Sequence, residues 1–178
     1  MMSQSSPKNE TKTEWTCPRK VSTKDQYYIE LAEKISTRSK DPNTQCGAVA
    51  VSRKGKPLGF GYNGTPSVID DNDIDWSRPN KYSYIIHSEI NCIHHSKRSK
   101  LKGATLYVNN RPCPNCMLNI VDAGISRVVF VDRTIADSGS SLNQDSWQIT
   151  LDIARLANKK RKFTLERYVN GITEEIQL

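Results

Sequence analysis

Long apolar runs are missing from this chain of 178 residues. No stretch approaches the ~18 consecutive apolar residues that a membrane-spanning helix needs. The N-terminus also lacks the apolar core of a signal peptide. We therefore expect a protein that has no membrane partner and whose compartment is the cytosol.

Cysteine is scarce and occurs in an odd number. Five cysteines are present, and two of them form the spacing Cys113-x-x-Cys116. This spacing is common in metal sites, and an odd total does not suit a framework of paired disulfides. The cysteines thus predict metal binding in a reducing compartment.

Aromatic residues are few, and positive charge exceeds negative charge. The chain has three Trp and three Phe, and its 26 Lys and Arg against 19 Asp and Glu give a net charge of +7. This balance permits an anionic partner, either a nucleotide phosphate or a polynucleotide, although a solvated surface explains it equally well. The basic clusters Lys97–Lys102 and Lys159–Lys162 motivate, as an alternative, an enzyme that acts on a polynucleotide. Such an enzyme also needs aromatic side chains for stacking, so we do not expect nucleic acid as the partner.

The length suits one domain with a hydrophobic core. Residues 1–20 are polar and are expected to form a disordered or loosely docked tail, and residues 21–178 form the single domain. Periodicity and turn signals give the element order α-β-β-α-β-α-β-α-β, which opens with a hairpin and continues through parallel crossovers. This order predicts an α/β fold, a three-layer α/β/α sandwich.

One short pattern carries the chemistry. One predicted helix begins with His87-x-Glu89, and another begins with Pro112-Cys113-x-x-Cys116. The first segment supplies an imidazole and the second supplies two thiolates. A catalytic zinc takes such a set when its fourth position holds water. Glu89 lies close enough to move protons to and from that water without binding the metal. The pattern is the signature of zinc nucleobase deaminases and predicts hydrolytic deamination of an aminopyrimidine or aminopurine, with a base of RNA or tRNA as the alternative substrate.

Two other interpretations of the same residues stay open. A structural zinc would need a fourth protein ligand, and a catalytically silent module would bind zinc and nucleotides without turnover. Glu89 has no purpose in a closed structural site, and its presence also argues against the silent module. The candidates for a fourth ligand are Cys17, Cys46, Cys92, His94 and His95.

Further blocks surround the zinc pattern. Arg38-Ser-x-Asp41-Pro and Gly61-Tyr-Asn-Gly64 precede it, and the remaining blocks are Asn43–Gln45, Gly47-Ala48, Lys81-Tyr82, Leu106–Val108 and Ala123–Ile125. With these blocks the chain resembles the deoxycytidylate (dCMP) deaminases of the cytidine-deaminase superfamily, over most of residues 27–131. The zinc pattern is shared across that superfamily, whereas the first two blocks together are specific to the dCMP branch.

The resemblance implies a fold, a reaction and an assembly. The fold is a cytidine-deaminase-like sandwich around a central five-stranded mixed sheet. The reaction is deamination of dCMP to dUMP and ammonia, which feeds thymidylate synthesis. One catalytic zinc ion is held by His87, Cys113 and Cys116, and Glu89 is the proton shuttle. The assembly is a homo-oligomer, a hexamer in the family, controlled by the effectors dCTP and dTTP together with Mg²⁺.

The resemblance also implies residues that bind the substrate and the effector. Asn63 stands where relatives hydrogen-bond the sugar 3′-hydroxyl. Arg38 and Asn43 are candidates for the 5′-phosphate, since a guanidinium fits phosphate well, although Arg38 equally well caps its own helix. The implied effector region comprises Gly61, Tyr62, Gly64, Asp70 and Asp71.

Several features depart from the family pattern, among them Cys46 and Cys92, which replace other small residues. Ser88 replaces the alanine that is usual between the histidine and the glutamate, and the loop after Gly64 lacks the Asn-Gly-Cys of relatives. Arg111, directly before the Pro-Cys sequence, is unusual for the family. Its side chain either contacts substrate or faces solvent.

Overall fold

The computed structural model describes residues 21–133 and 144–178. The tail expected for residues 1–20 lies outside these ranges, and so does Cys17. None of the helices within the two ranges combines the length and the apolar character that crossing a membrane requires.

The described residues form five helices and six strands. The helices are α1 (Lys24–Ser36), α2 (Ser88–His94), α3 (Arg98–Leu101), α4 (Pro114–Asp122) and α5 (Gln144–Lys160). The strands are β1 (Gly47–Val51), β2 (Pro57–Tyr62), β3 (Thr105–Val108), β4 (Arg127–Val131), β5 (Thr164–Val169) and β6 (Ile172–Glu175). The long loop between β2 and α2 contains two short 3-10 turns, Asp71–Asp73 and Asn80–Ser83.

The six strands form one mixed sheet with the order β2-β1-β3-β4-β5-β6. Strand β1 pairs antiparallel with β2 and with β3, whereas β3, β4 and β5 run parallel to one another. Strand β6 closes the far edge, antiparallel to β5. The predicted three-layer sandwich is confirmed, but its sheet has six strands where five were expected.

The additional strand follows a two-residue turn, Asn170-Gly171. Both residues have positive φ, 49° and 88°, as a two-residue hairpin turn requires. Ile172 is the one large apolar residue of β6, and its side chain is exposed. The alternation that marks a half-buried strand is therefore absent, and the turn was the signal that the sequence prediction missed.

Side chains alternate along the central strands and divide the core into two layers. One face of the sheet packs against α1 through Val49, Val51, Tyr107 and Val129. The other face packs against the remaining helices through Ala48, Ala50, Leu106, Val108, Val128 and Phe130. This division places α2, α4 and α5 on one side of the sheet, where α2 and α4 begin beside each other.

Gly61 sets the distance between strand β2 and helix α2. A Cβ atom at Gly61 would lie 2.3 Å from the backbone nitrogen of Cys92 and 2.5 Å from the carbonyl oxygen of Ser88. No larger residue fits unless the helix moves. Gly61 thereby fixes the position of the helix that carries Glu89.

Candidate active site

Three metal-binding side chains meet where α2 and α4 begin. His87 directly precedes α2, Cys113 directly precedes α4, and Cys116 lies in the first turn of α4. The Nδ1 atom of His87 lies 3.2 Å from Sγ of Cys116 and 3.5 Å from Sγ of Cys113. The structure thus brings together the three residues that the sequence singled out.

The start of α4 explains why the two cysteines adopt this arrangement. Pro114 occupies the first turn, where its missing N–H costs nothing because that group would have no partner inside the helix. The backbone N–H of Cys116 points at Sγ of Cys113 at 3.5 Å. Such N–H groups and the positive end of the helix dipole favour a thiolate over a thiol.

The donor set fits a zinc ion. Tetrahedral zinc with bonds of about 2.3 Å to sulfur and about 2.0 Å to nitrogen separates its donors by roughly 3.5–3.8 Å. The three donor atoms lie within 4.8 Å of one another, and no fourth ligand from residues 21–133 or 144–178 joins them. His87 is exposed and Cys113 is half-buried. Three ligands with an open side indicate a catalytic site, not a structural one.

The spare candidates for a fourth ligand lie elsewhere. Cys92 is buried in the core, and His94 and His95 are exposed at the far end of α2. Cys46 lines the cavity beside the triad, but it is not part of the cluster. Burial raises the pKa of the Cys46 thiol to about 11, so Cys46 remains a protonated, inert thiol at neutral pH. Cys17 lies outside the described residues.

The pKa values of the three ligand side chains are shifted in different directions. A hydrogen bond from Cys116, supported by His87, lowers the pKa of Cys113 to about 4. The hydrogen bond with Cys113, together with burial, raises the pKa of Cys116 well above its usual range. The hydrogen bond with Cys113 raises the pKa of His87 to about 9 against the opposing effect of burial. Because zinc binds neutral histidine and thiolates, its uptake must release protons and weaken as the pH falls.

Glu89 is buried beside the triad and lies outside it. Its side chain is 4% exposed, and burial is the main cause that raises the pKa of its carboxyl group. The hydroxyl of Ser88 donates a 2.9 Å hydrogen bond to Oε2 of Glu89. The serine that departs from the family pattern therefore orients this carboxylate. A buried carboxylate with a raised pKa is suited to accept and return protons near neutral pH.

A cavity of about 430 Å³ opens onto these groups. This volume lies within the range of small-molecule sites. Besides His87 and Glu89, its wall includes Asp41, Thr44, Cys46, Asn63, Arg78, Lys81, Asn110 and Arg111.

One wall of the cavity is organised by a buried ion pair. Nζ of Lys81 donates to both carboxylate oxygens of Asp41, at 2.5 and 2.7 Å. The two side chains are 2% and 3% exposed. Asp41 also accepts hydrogen bonds from the backbone N–H groups of Asn43 and Thr44. The pair thus holds the loop between α1 and β1 against the loop that precedes α2.

Asn63 is fixed by the same network. Its Nδ2 donates to Asp41 at 3.3 Å and to the carbonyl oxygen of Thr44 at 2.9 Å, and its Oδ1 accepts from the backbone N–H of Cys46 at 2.7 Å. Both amide hydrogens are therefore used. One lone pair of Oδ1 remains, and it can accept a hydrogen bond from a hydroxyl group in the cavity.

The two phosphate candidates from the sequence lie apart from this cavity. Arg38 is exposed and lines a second cavity. Asn43 is exposed, and neither cavity is lined by it. The guanidinium groups in the wall beside the triad belong to Arg78 and Arg111. Arg78 was missed because nothing in the local sequence distinguishes it from a surface arginine of a polar loop.

The second cavity, of about 610 Å³, contains most of the expected effector region. Asp71 pairs there with Lys40 and accepts a 2.7 Å hydrogen bond from the hydroxyl of Thr65. Gly61 is not among the lining residues, because it packs against α2 as described above. The lining includes Arg38, Lys40, Tyr62, Gly64, Asp70, Asp71 and Trp76.

The zinc cluster falls within a recognised sequence family. Residues 22–132 match the profile described as the cytidine and deoxycytidylate deaminase zinc-binding region. The chain belongs to the cytidine and deoxycytidylate deaminase family. The matched range contains the triad, Glu89 and the lining residues of both cavities.

Individual relatives within this family agree with the assignment. The deoxycytidylate deaminase of Homo sapiens is 37% identical over 119 residues, which cover 64% of this chain and 67% of that protein. The deoxycytidylate deaminase of Mycobacterium phage D29 is 32% identical over 119 residues, covering 60% of this chain and 92% of that protein.

The same fold is present in a solved structure. The dCMP deaminase from the cyanophage S-TIM5, in complex with dCMP and dUMP, superimposes with a TM-score of 0.60 at 22% identity. The likeness covers 80% of this chain and 95% of that chain. It establishes the cytidine-deaminase-like fold.

The buried ion pair gives a prediction for stability in this deaminase family member. Lys81→Met leaves the Asp41 carboxylate buried without its cation, which should lower the free energy of unfolding by about 3–5 kcal/mol. Urea unfolding monitored by circular dichroism measures this loss. Lys40→Met is the matched control, because the Lys40 side chain is 74% exposed in its pair with Asp71, and it should unfold close to wild type. An equal loss of unfolding free energy in both variants would show that the effect of Lys81→Met does not come from the burial of its ion pair.

A second prediction concerns the metal ligands. Cys116→Ser should lose bound zinc, measured by metal analysis after dialysis, because serine replaces a thiolate ligand by a weak one. Cys46→Ser should retain one zinc ion per chain, since Cys46 lies outside the cluster. Zinc loss in Cys46→Ser together with retention in Cys116→Ser would show that the ligand set is wrong.

Proposed function

We propose that the chain is a zinc-dependent hydrolase that converts dCMP to dUMP and ammonia and so supplies dUMP for thymidylate synthesis. The observation that carries this proposal is the open triad of His87, Cys113 and Cys116 with the buried Glu89 beside it. His87 and Glu89 line a cavity of about 430 Å³, which is large enough for a nucleotide. The names of the relatives support dCMP as the nucleotide.

Glu89 performs the proton transfers of the proposed reaction. Zinc bound to the triad supplies Lewis acidity, which lowers the pKa of water enough for hydrolysis at neutral pH. Glu89 takes one proton from the attacking water and delivers it to the ring nitrogen next to C4. It then passes the second proton of that water to the exocyclic nitrogen, which leaves as ammonia when the C4–N bond breaks. The ring retains the oxygen of water as the carbonyl group of dUMP.

The walls of the cavity hold the substrate in the proposed complex. The free lone pair of Asn63 accepts a hydrogen bond from the sugar 3′-hydroxyl. Because Asp41, Thr44 and Cys46 already fix the amide, this acceptor needs no reorganisation when the sugar binds. Arg38 and Asn43, the residues predicted for the 5′-phosphate, do not line this cavity.

The position of the basic clusters argues against a polynucleotide substrate. Arg98 donates a hydrogen bond to the carbonyl oxygen of Asp122, and Arg161 donates one to the carbonyl oxygen of Val121. Both acceptors lie at the C-terminal end of α4. Cys113 lies at the opposite end of this helix, and nine residues span roughly 13 Å. A strand bound along the two clusters would therefore run past the end of α4 that is remote from the zinc ligands.

Assembly and regulation are further parts of the proposal. The second cavity takes dCTP or dTTP together with Mg²⁺, since Asp70 and Asp71 offer carboxylate oxygens and Arg38 and Lys40 offer positive charge in its lining. The apolar side chains of Phe60, Val68 and Tyr84 are exposed, and a homo-oligomeric contact, hexameric in the family, would cover them. The cytosol is the proposed compartment.

The proposed reaction is tested by ammonia release from dCMP, dCTP, cytidine and a short oligonucleotide. We expect turnover of dCMP by the wild-type chain. Glu89→Ala should retain zinc and lose more than about 100-fold in kcat, because a positioned general acid–base group contributes that much or more. Turnover of the oligonucleotide alone would contradict a nucleotide substrate. Activity that survives in Glu89→Ala would contradict its role, and zinc loss in that variant would show that Glu89 is a ligand.

The effector proposal is tested separately with the same assay. Addition of dCTP and Mg²⁺ should raise the rate at low dCMP concentration, and dTTP should lower it. Asp71→Asn removes the partner of Lys40 in the second cavity and should weaken both responses while leaving the rate without effector unchanged. Identical responses in wild type and Asp71→Asn would argue against an effector in this cavity.

A further inference from the structure

We propose that Arg111 binds the 5′-phosphate of the substrate and so makes the site selective for a nucleotide over a nucleoside. The inference rests on the proposed function. It assigns the phosphate to a residue beside the zinc ligands and not to Arg38, which lines the second cavity.

The guanidinium of Arg111 is held in the cavity wall. Its side chain is 15% exposed, and Nη2 forms an ion pair with Asp132 at 2.5 Å, where Asp132 is 6% exposed. The face of the guanidinium lies 4.4 Å from the ring centre of Trp147 on α5. Arg111 therefore does not face bulk solvent, which was one of the two expectations from the sequence.

Neighbouring contacts fix the backbone that carries this side chain. The N–H of Arg111 donates to Oδ1 of Asn110 at 2.9 Å. The hydroxyl of Thr150 on α5 donates to the carbonyl oxygen of Pro112 at 3.4 Å. Trp147 also packs on Phe130, with ring centres 5.5 Å apart. The guanidinium is thus oriented before a ligand arrives, which removes the entropy cost of ordering a flexible arginine on binding.

Part of the hydrogen-bonding capacity of Arg111 is unused. A guanidinium has five N–H donors, and within the described ranges its side chain donates only to Asp132. Nε is buried without a partner there. Because Nε is enclosed, a ligand in the cavity would bond to the terminal NH2 groups, which keep donors to spare. Phosphate oxygens are the acceptors that arginine recognises best.

The other cations near the triad are less suited to this role. Lys81 is already bonded to both oxygens of Asp41, and Arg78 is exposed and donates to the hydroxyl of Thr44. Asp132 offsets one unit of charge at Arg111, so the selectivity comes from directed hydrogen bonds and not from net charge. Hydrogen bonds to a charged group are typically worth a factor of roughly 10–100 in affinity.

The test compares dCMP with deoxycytidine, which lacks the phosphate. Arg111→Met should lower kcat/KM for dCMP by about 10–100-fold, mainly through KM, and leave deoxycytidine within about twofold of wild type. Zinc content should stay at one per chain. Arg111→Lys keeps a cation and should recover part of the preference for dCMP. Arg155→Met is the control, because the Arg155 side chain on α5 is half-buried, pairs with Asp152 and lines neither cavity.

Several results would overturn the inference. An equal loss for both substrates, or a loss of zinc, would show that Arg111 only positions the Cys113 loop. An unchanged dCMP preference in Arg111→Met, or its loss in Arg38→Met instead, would place the phosphate elsewhere while the proposed function stands. A wild-type chain that turns over neither dCMP nor deoxycytidine would overturn the proposed function and this inference together. If Arg111→Met does not fold, Arg111→Lys decides: an equal loss for dCMP and deoxycytidine in that variant would count against phosphate binding.

Discussion

One imidazole and two thiolates can share an ion only if their donor atoms stay within a few ångströms, and that constraint shapes the rest of the domain. His87 and Cys113 each directly precede a helix, so the starts of α2 and α4 must lie side by side. Both helices pack on one face of the sheet, and the close approach at Gly61 fixes α2. A helix start also offers N–H groups and positive potential to a thiolate. The fold therefore assembles the ligands and adjusts their protonation with the same elements.

The substrate side of the cavity depends on a different interaction. Asp41 and Lys81 form an ion pair that is almost inaccessible to water, and such a pair is a weak source of stability because both ions are desolvated. Its value lies in what it orders. Asp41 bonds to the loop from Asn43 to Thr44 and to Asn63, which leaves Asn63 with one defined acceptor. The zinc side of the cavity carries the groups of the proposed reaction, and the ion-pair side holds Asn63, the proposed sugar contact, in a rigid wall.

The sequence predicted those features that are encoded locally. The zinc ligands and Glu89 form a compact pattern with few alternatives, and the order of elements was enough for the three-layer sandwich. Strand β6 was not predicted because its exposed side chains show no apolar alternation, although Asn170-Gly171 marked the turn. Contacts between residues far apart in the sequence were not predicted either. Lys81 pairs with Asp41, and Arg111 contacts Asp132 and Trp147. No local pattern specifies such partners, so the environment of Arg111 required the structure.

The central claim is that zinc has three protein ligands and that Glu89 stays outside its coordination sphere. X-ray absorption at the zinc edge tests this claim most directly, on the zinc-loaded wild type and on Glu89→Ala. We expect two sulfur neighbours at about 2.3 Å and two lighter neighbours at about 2.0 Å, with the same spectrum in both proteins. A third sulfur neighbour, or a coordination sphere that changes in Glu89→Ala, would contradict it.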